Sequence, residues 1–153
     1  LEKLKIGQVA PLFKLKNEND ELVSLANFKG NKVLIYFYPK AMTPGCTTQA
    51  QCLRDEKKIF EKLNIVILGI SPDKPLHLKK FIEKEELNFT LLSDPDHAVA
   101  EKYGVWGLKK FMGREFMGVI RTSFIVDEKG KIEFILDKVK TKSHHQDVLN
   151  LIK

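Results

Sequence analysis

The chain has 153 residues, 43% hydrophobic and 30% charged, a mix that can bury a core and excludes an intrinsically disordered chain. Its formal net charge of +6 comes from 26 basic residues, only three of them Arg, scattered among 20 acids. That is a solvated Lys-rich surface, not the concentrated Arg and aromatic pattern of a nucleic-acid binder. No apolar run approaches the roughly 18–20 residues of a membrane-spanning helix, and the charges of residues 1–5 are followed by no signal-like apolar stretch.

In chain order, Phe13 and Leu15, then Leu22, Val23 and Leu25, flank the polar residues 17–21 and predict a hairpin. Residues 32–38 form a continuous β-branched and aromatic run, the composition of a central strand buried on both faces, and Pro39 ends it. A helix is predicted next, with Thr43 as N-cap and Pro44 at N1, where the missing N–H costs nothing. It runs to about Leu63, with Ala50, Leu53, Ile59, Phe60 and Leu63 facing inward. Residues 65–71 read as a second buried strand, which makes a parallel βαβ unit.

Residues 72–75 open another helix with Leu78, Phe81 and Ile82 inward, and residues 89–92 form a short strand. Residues 98–103 read as a short helix. Residues 104–118, with the single Trp106, read as a structured loop whose Trp106, Phe111 and Met112 pack as core. Residues 119–126 and 131–136 flank the turn Asp127-Glu128-Lys129-Gly130 as an antiparallel hairpin. Ser143 caps a final helix through Val148, Leu149 and Ile152. The order predicts an α/β fold, with a mixed central sheet and helices on both faces, as one domain over residues 1–153.

The informative segment is Pro39-Lys40-Ala41-Met42-Thr43-Pro44-Gly45-Cys46. It joins the C-terminal end of a buried parallel strand to a helix N-terminus, where sites form in open α/β sheets. With Thr43 as N-cap, Cys46 falls at N3, facing unpaired N–H groups and the positive end of the helix dipole. The thiolate is the nucleophilic form of cysteine, and helix N-termini and nearby cations favour it. Gly45 keeps the approach open, the Thr43 hydroxyl can donate to or accept from a reacting atom, and Pro39 stiffens the approach. Burial of a small hydrophobe alone would not call for Thr, Pro and Gly at those positions. Arg121 is also out of place, a permanent cation in an otherwise buried-looking strand, and a thiolate is a partner for it.

This segment resembles the Pro-x-x-x-Thr-x-x-Cys motif of the peroxiredoxins. The longer string from Phe37 to Thr47, with Gln49-Ala50 and Leu53-Arg54-Asp55 after it, is similar to the bacterioferritin-comigratory-protein (Q-type) subgroup. The likeness extends through Gly69-Ile70-Ser71, Leu91-Leu92-Ser93-Asp94, Gly104-Val105-Trp106-Gly107, Arg121-Thr122-Ser123-Phe124 and His144-His145. It implies a thioredoxin-like fold and a thiol-dependent peroxidase acting on hydrogen peroxide and organic hydroperoxides. It further implies Cys46 as the peroxidatic cysteine that passes through a sulfenic acid, Thr43 positioning the peroxide, Pro39 shielding the thiolate and Arg121 as the active-site arginine. Thioredoxin or another thiol is the implied reductant, no cofactor or metal is implied, and the implied state is a monomer or weak dimer.

One position departs from the pattern. The subgroup's resolving cysteine lies five residues after the peroxidatic one, where this chain has Gln51; Cys52 lies six residues on. In an intact helix Cys52 points about 240° around from Cys46 with a rise of ~9 Å, beyond the roughly 7 Å limit between disulfide Cα atoms. Cys52 therefore either resolves Cys46 after the helix unwinds, or only packs and leaves a one-cysteine peroxidase. Two cysteines and no signal predict a cytoplasmic setting, and neither nucleic acid nor a membrane is expected as partner. His77, His97, His144 and His145 lack paired zinc-ligand spacing and are expected at the surface. Trp106, Phe111 and Met112 have a second reading, an apolar patch near the site. The alternative function is a thioredoxin-like thiol-binding or copper-handling module built on Cys46, Cys52 and a histidine.

Overall fold

The computed structural model describes residues 3–152, so Leu1 and Glu2 of the segment read above as signal-free lie outside the described residues. Strands β1 (Lys14–Asn17) and β2 (Leu22–Ser24) form the expected first hairpin, and a 3-10 turn (Leu25–Phe28) leads to β3 (Lys32–Phe37). The parallel unit follows: α1 (Pro44–Asp55), α2 (Lys57–Lys62) and β4 (Ile65–Ser71). Then come α3 (Pro75–Glu85), β5 (Thr90–Ser93), α4 (Ala98–Lys102), β6 (Trp106–Phe111), β7 (Arg114–Val119), β8 (Thr122–Val126), β9 (Ile132–Leu136) and α5 (His144–Ile152).

Seven strands make one mixed sheet in the order β2-β1-β5-β4-β3-β8-β9. β3 pairs parallel with β4, and β4 with β5; β8 runs antiparallel to β3, and β9 antiparallel to β8. Alternation along β3 sorts the core into two layers. Leu34 and Tyr36, with Tyr38 just past the strand, join Leu53, Phe60, Leu78, Phe81 and Val148 from α1, α2, α3 and α5. Val33, Ile35 and Phe37 face the other way, against Val99, Ala100, Tyr103 and Phe124. Helices therefore cover both faces, with α4 on the second.

Three expectations are corrected. The helix predicted to Leu63 breaks at Glu56 (φ −102°, ψ 10°), and α2 starts afresh. Ile59 and Leu63, placed inward by a single straight helix, are consequently exposed. Residues 104–118 are not a loop but an antiparallel hairpin, β6–β7, turning at Met112-Gly113. The strand predicted over residues 119–126 is interrupted: β7 ends at Val119, β8 begins at Thr122, and Arg121 sits in the two-residue link.

Gly69 fixes one contact that the site needs. A Cβ there would lie 2.8 Å from Leu91 Cδ2 and 2.9 Å from the Tyr36 ring. Only a glycine lets the Tyr36 ring lie flat against β4. Gly69→Ala is expected to destabilise the fold by roughly 1–3 kcal/mol through overpacking, read as a lower urea midpoint with an unchanged slope.

Candidate active site

Cys46 lies in the first turn of α1, and only 1% of its surface is exposed. Thr43 has the extended backbone of an N-cap (φ −85°, ψ 155°), but its side chain does not cap the helix. The hydroxyl donates instead to the Lys40 carbonyl at 2.8 Å. The first-turn amides thus keep no side-chain acceptor, and the positive helix end stays directed at the cysteine.

Arg121 reaches this sulfur from the link just before β8, the strand paired with β3. Its Nη2 donates to Cys46 Sγ at 3.1 Å, and its Nη1 donates to Gln49 Oε1 at 2.9 Å. Gln49 is one helical step along α1 from Cys46 and is buried, so α1 supplies both the sulfur and the group that orients the guanidinium. A Cβ on Gly45 would sit 3.1 Å from Arg121 Nη2 and 3.5 Å from the Thr141 methyl. Glycine is what allows the guanidinium to pass over this turn.

The loop before α1 is held from a neighbouring strand end. Asp73 Oδ2 accepts from the Ala41 N–H at 2.7 Å and from the Ser71 hydroxyl at 2.8 Å, while the Asp73 carbonyl accepts from the Ser93 hydroxyl at 2.6 Å. Met42, next to Thr43, takes a left-handed conformation (φ 66°) inside this clamped loop. Pro39 is half-buried at its start.

Lys109 of β6 is a second cation at the site. Its ammonium donates to the Val119 carbonyl at 2.9 Å, two residues before Arg121. Burial, then the Arg121 charge, pull it below the ordinary lysine range, while Cys46 acts in the opposite sense. Beneath the sulfur, burial holds the Tyr36 phenol well above its ordinary range, with Tyr38 and Cys46 adding to the shift and Arg121 opposing it.

Cys46, Thr43 and Arg121 are thus gathered at one helix end, with Pro39 in the same loop. Cys52 is not among them: it stays two turns down an intact α1, half-buried, and both thiols are free. Gln51, where the subgroup has its resolving cysteine, donates to Glu85 Oε1 at 2.8 Å, and Arg54 Nη1 donates to the Glu85 carbonyl at 2.6 Å. These contacts tie the lower half of α1 to α3. Gln49, Asp73 and Lys109 were not singled out in the sequence, although Gln49, three residues from Cys46 on a buried stripe, was the most findable.

The histidines divide. His77 is exposed as expected, whereas His97 stacks on Trp106 with ring centroids 3.8 Å apart. His144 is completely buried, contrary to expectation. Its Nε2 lies 2.7 Å from Ser123 Oγ and its ring 5.7 Å from that of Tyr36, because the first turn of α5 packs onto the sheet beneath the site. Among the described residues, no three His, Cys, Asp or Glu side chains gather as a metal site requires, so the copper-handling alternative finds no donor set.

Residues 6–135 match the model of the AhpC/TSA family. The chain belongs to the AhpC/TSA family, whose members include the peroxiredoxins. Proteins of the bcp name from Haemophilus influenzae and Escherichia coli, both described as peroxiredoxins, are 58% and 55% identical to it over 150 residues. Those alignments take in 98% of this chain and 97% and 96% of theirs. The solved Xanthomonas campestris bacterioferritin comigratory protein, described in terms of alkyl peroxide reduction, superposes with a TM-score of 0.86 at 30% identity, over 92% of this chain and 89% of its own. The fold is thioredoxin-like, and the activity is that of a thiol-dependent peroxidase, with a peroxide as substrate and a thiol as reductant.

His144 gives the fold a measurable pH dependence. Burial, then the neighbouring His145, lowers it from 6.5 to about 4. The folded chain keeps it neutral where the unfolded chain binds a proton, so its contribution is full above pH 6.5 and is lost as pH falls from 6.5 towards about 4. Urea unfolding across that window should show the wild type losing up to roughly 3 kcal/mol more than His144→Gln; parallel pH profiles would refute the assignment.

Proposed function

We propose that Cys46 is the peroxidatic nucleophile and that Arg121, Thr43 and Pro39 complete its site. The observation that carries this reading is the guanidinium hydrogen bond to Cys46 Sγ at 3.1 Å, at a helix N-terminus with no side-chain cap. The thiolate attacks one peroxide oxygen in line with the O–O bond. A sulfur–oxygen bond forms as the O–O bond breaks, and the leaving oxygen takes the electron pair and then a proton. Arg121, already at the sulfur, stabilises the charge that develops on the leaving oxygen. The Thr43 hydroxyl, donating its hydrogen bond to the Lys40 carbonyl, turns a lone pair toward the incoming hydroperoxide. Sulfur is oxidised to the sulfenic acid, and water or an alcohol leaves. Hydrogen peroxide and organic hydroperoxides are the substrates; the alkyl-peroxide chemistry attached to the Xanthomonas campestris relative supports the second class.

Recycling runs through a disulfide. Cys52 condenses with the sulfenic acid, water leaves, and thioredoxin or another dithiol reduces the bond formed. The helix between Cys46 and Cys52 must first open, and the Glu85 contacts of Gln51 and Arg54 mark where that opening meets resistance. Burial, then the Asp55 carboxylate, push the Cys52 thiol above its ordinary range, so its reactive thiolate grows with pH. No helix among the described residues is long and apolar enough to cross a membrane. The free thiols fit a reducing cytoplasm, and the subgroup likeness favours a monomer or weak dimer.

Mass mapping after one equivalent of peroxide tests this. Cys46→Ser should abolish turnover, and wild type should carry an internal 46–52 disulfide that forms faster as pH rises. A stable sulfenic acid, or a mixed disulfide with the added thiol, would make this a one-cysteine enzyme. Peroxide consumption by Cys46→Ser would overturn the nucleophile itself.

A further inference from the structure

The β6–β7 hairpin leaves large apolar side chains uncovered beside the site. In its register Lys109 lies opposite Phe116 and Phe111 opposite Arg114, and alternation puts all four on one ribbon face. Lys109 and Phe116 close over Gly118, where a Cβ would sit 3.2 Å from Lys109 Cδ and 3.5 Å from the Phe116 ring. The same lysine ends on the Val119 carbonyl, and the chain then runs through Ile120 into Arg121. This face therefore begins at Lys109, beside the Arg121 link, and leads outward, away from the site, to Phe111 and Met112, which are 67% and 87% exposed.

The tip keeps its apolar character at a conformational cost. Met112 and Gly113 both have positive φ (52° and 79°), as a two-residue hairpin turn demands. Asn, Asp or Gly accept the first of these positions readily; a long thioether there is strained and, at 87% exposure, buries little of its surface. The charge is one-sided as well. Lys109 and Arg114 share the face with no acid of the hairpin beside them, whereas Lys110 and Glu115 pair with each other at 3.6 Å on the opposite face.

We propose that the Phe111–Met112–Phe116 face of this hairpin, with Arg114 on its rim, is the docking surface for a protein dithiol reductant of net negative charge. This rests on the thiol-recycling reading above. Thiol exchange requires a partner sulfur to be held against the oxidised sulfur of the opened helix, and a protein must rest on something beside the site to do so. One reductant thiolate attacks the disulfide of the oxidised chain, breaking its S–S bond as a mixed disulfide forms. The second reductant thiolate then displaces the chain's other sulfur. The chain regains two thiols, with their protons, and the reductant leaves as a disulfide. A second copy fits this surface poorly, since two net-positive faces would meet.

Steady-state turnover driven by thioredoxin, compared with dithiothreitol, tests the proposal on folded variants checked by circular dichroism. Phe111→Ser with Met112→Ser, and separately Arg114→Glu, should raise KM for thioredoxin at least ~10-fold. Dithiothreitol-driven turnover should stay unchanged, and the wild-type KM for thioredoxin should rise with salt. An unchanged thioredoxin KM overturns the proposal, as does an equal loss with dithiothreitol. A wild-type dimer dissolved by the same substitutions in sedimentation, or phosphatidylglycerol-vesicle binding abolished by them with KM unmoved, assigns the face to another occupant and overturns it too. Wild type turning over with dithiothreitol but not with thioredoxin removes the recycling reading and this inference with it; failure with both removes the peroxidase reading.

Discussion

A guanidinium held against a buried sulfur is the interaction around which the rest of this molecule is arranged. Arg121 and Cys46 lie 75 residues apart in sequence and come from opposite halves of the chain. Half-burying a permanent cation, as here, is costly unless it is paired and hydrogen-bonded. Here Gln49 takes one arm of the guanidinium and Cys46 the other. A sulfur with this partner, at the positive end of a 12-residue helix, is suited to carrying negative charge.

The surrounding fold reads as a set of devices that hold those two atoms in register. Asp73 clamps the loop ahead of α1 through the Ala41 amide, and Gly45 spares the guanidinium the tight 3.1 Å contact a Cβ would make. The break between β7 and β8 turns Arg121 inward: the Ile120 N–H donates to Val105 at 2.7 Å, and the Thr122 hydroxyl donates back to the Ile120 carbonyl at 2.9 Å. An uninterrupted strand would have sent this side chain along a fixed alternation instead. Gly69 admits the Tyr36 ring, and Tyr36 with His144 floors the site. The recycling proposed above, through Cys52, would ask the same helix to open, while Gln51 and Arg54 anchor its lower half to α3.

Much of this was readable from residue order alone, because the strongest signals are local. Residues 32–38 could hardly be anything but a buried strand, and Thr43-Pro44 marked a helix start that the structure keeps to the residue. The candidate residues Cys46, Thr43 and Arg121 could be named from the motif and from a charge in an apolar run. The misses came where tertiary packing overrides local pattern. The Glu56 break is invisible to helical periodicity. The 104–118 hairpin hid because its apolar residues are exposed, and an exposed Phe or Met carries the same letter as a buried one. His144 was misread for the converse reason: a polar residue in a helix's first turn looks solvated until Ser123 and Tyr36 are seen packed against it. Asp73 and Lys109 could not be found at all, since their roles depend on where distant elements dock.

The account therefore stands on the Arg121–Cys46 contact. Its most direct test is the second-order rate at which hydrogen peroxide oxidises the Cys46 thiol in Arg121→Gln, followed in single turnover so that recycling does not enter. The account predicts a rate about 100-fold or more below wild type, the usual loss when a preorganised charge donor is removed from a transition state. A rate within about twofold of wild type, in a variant that folds normally, would contradict it.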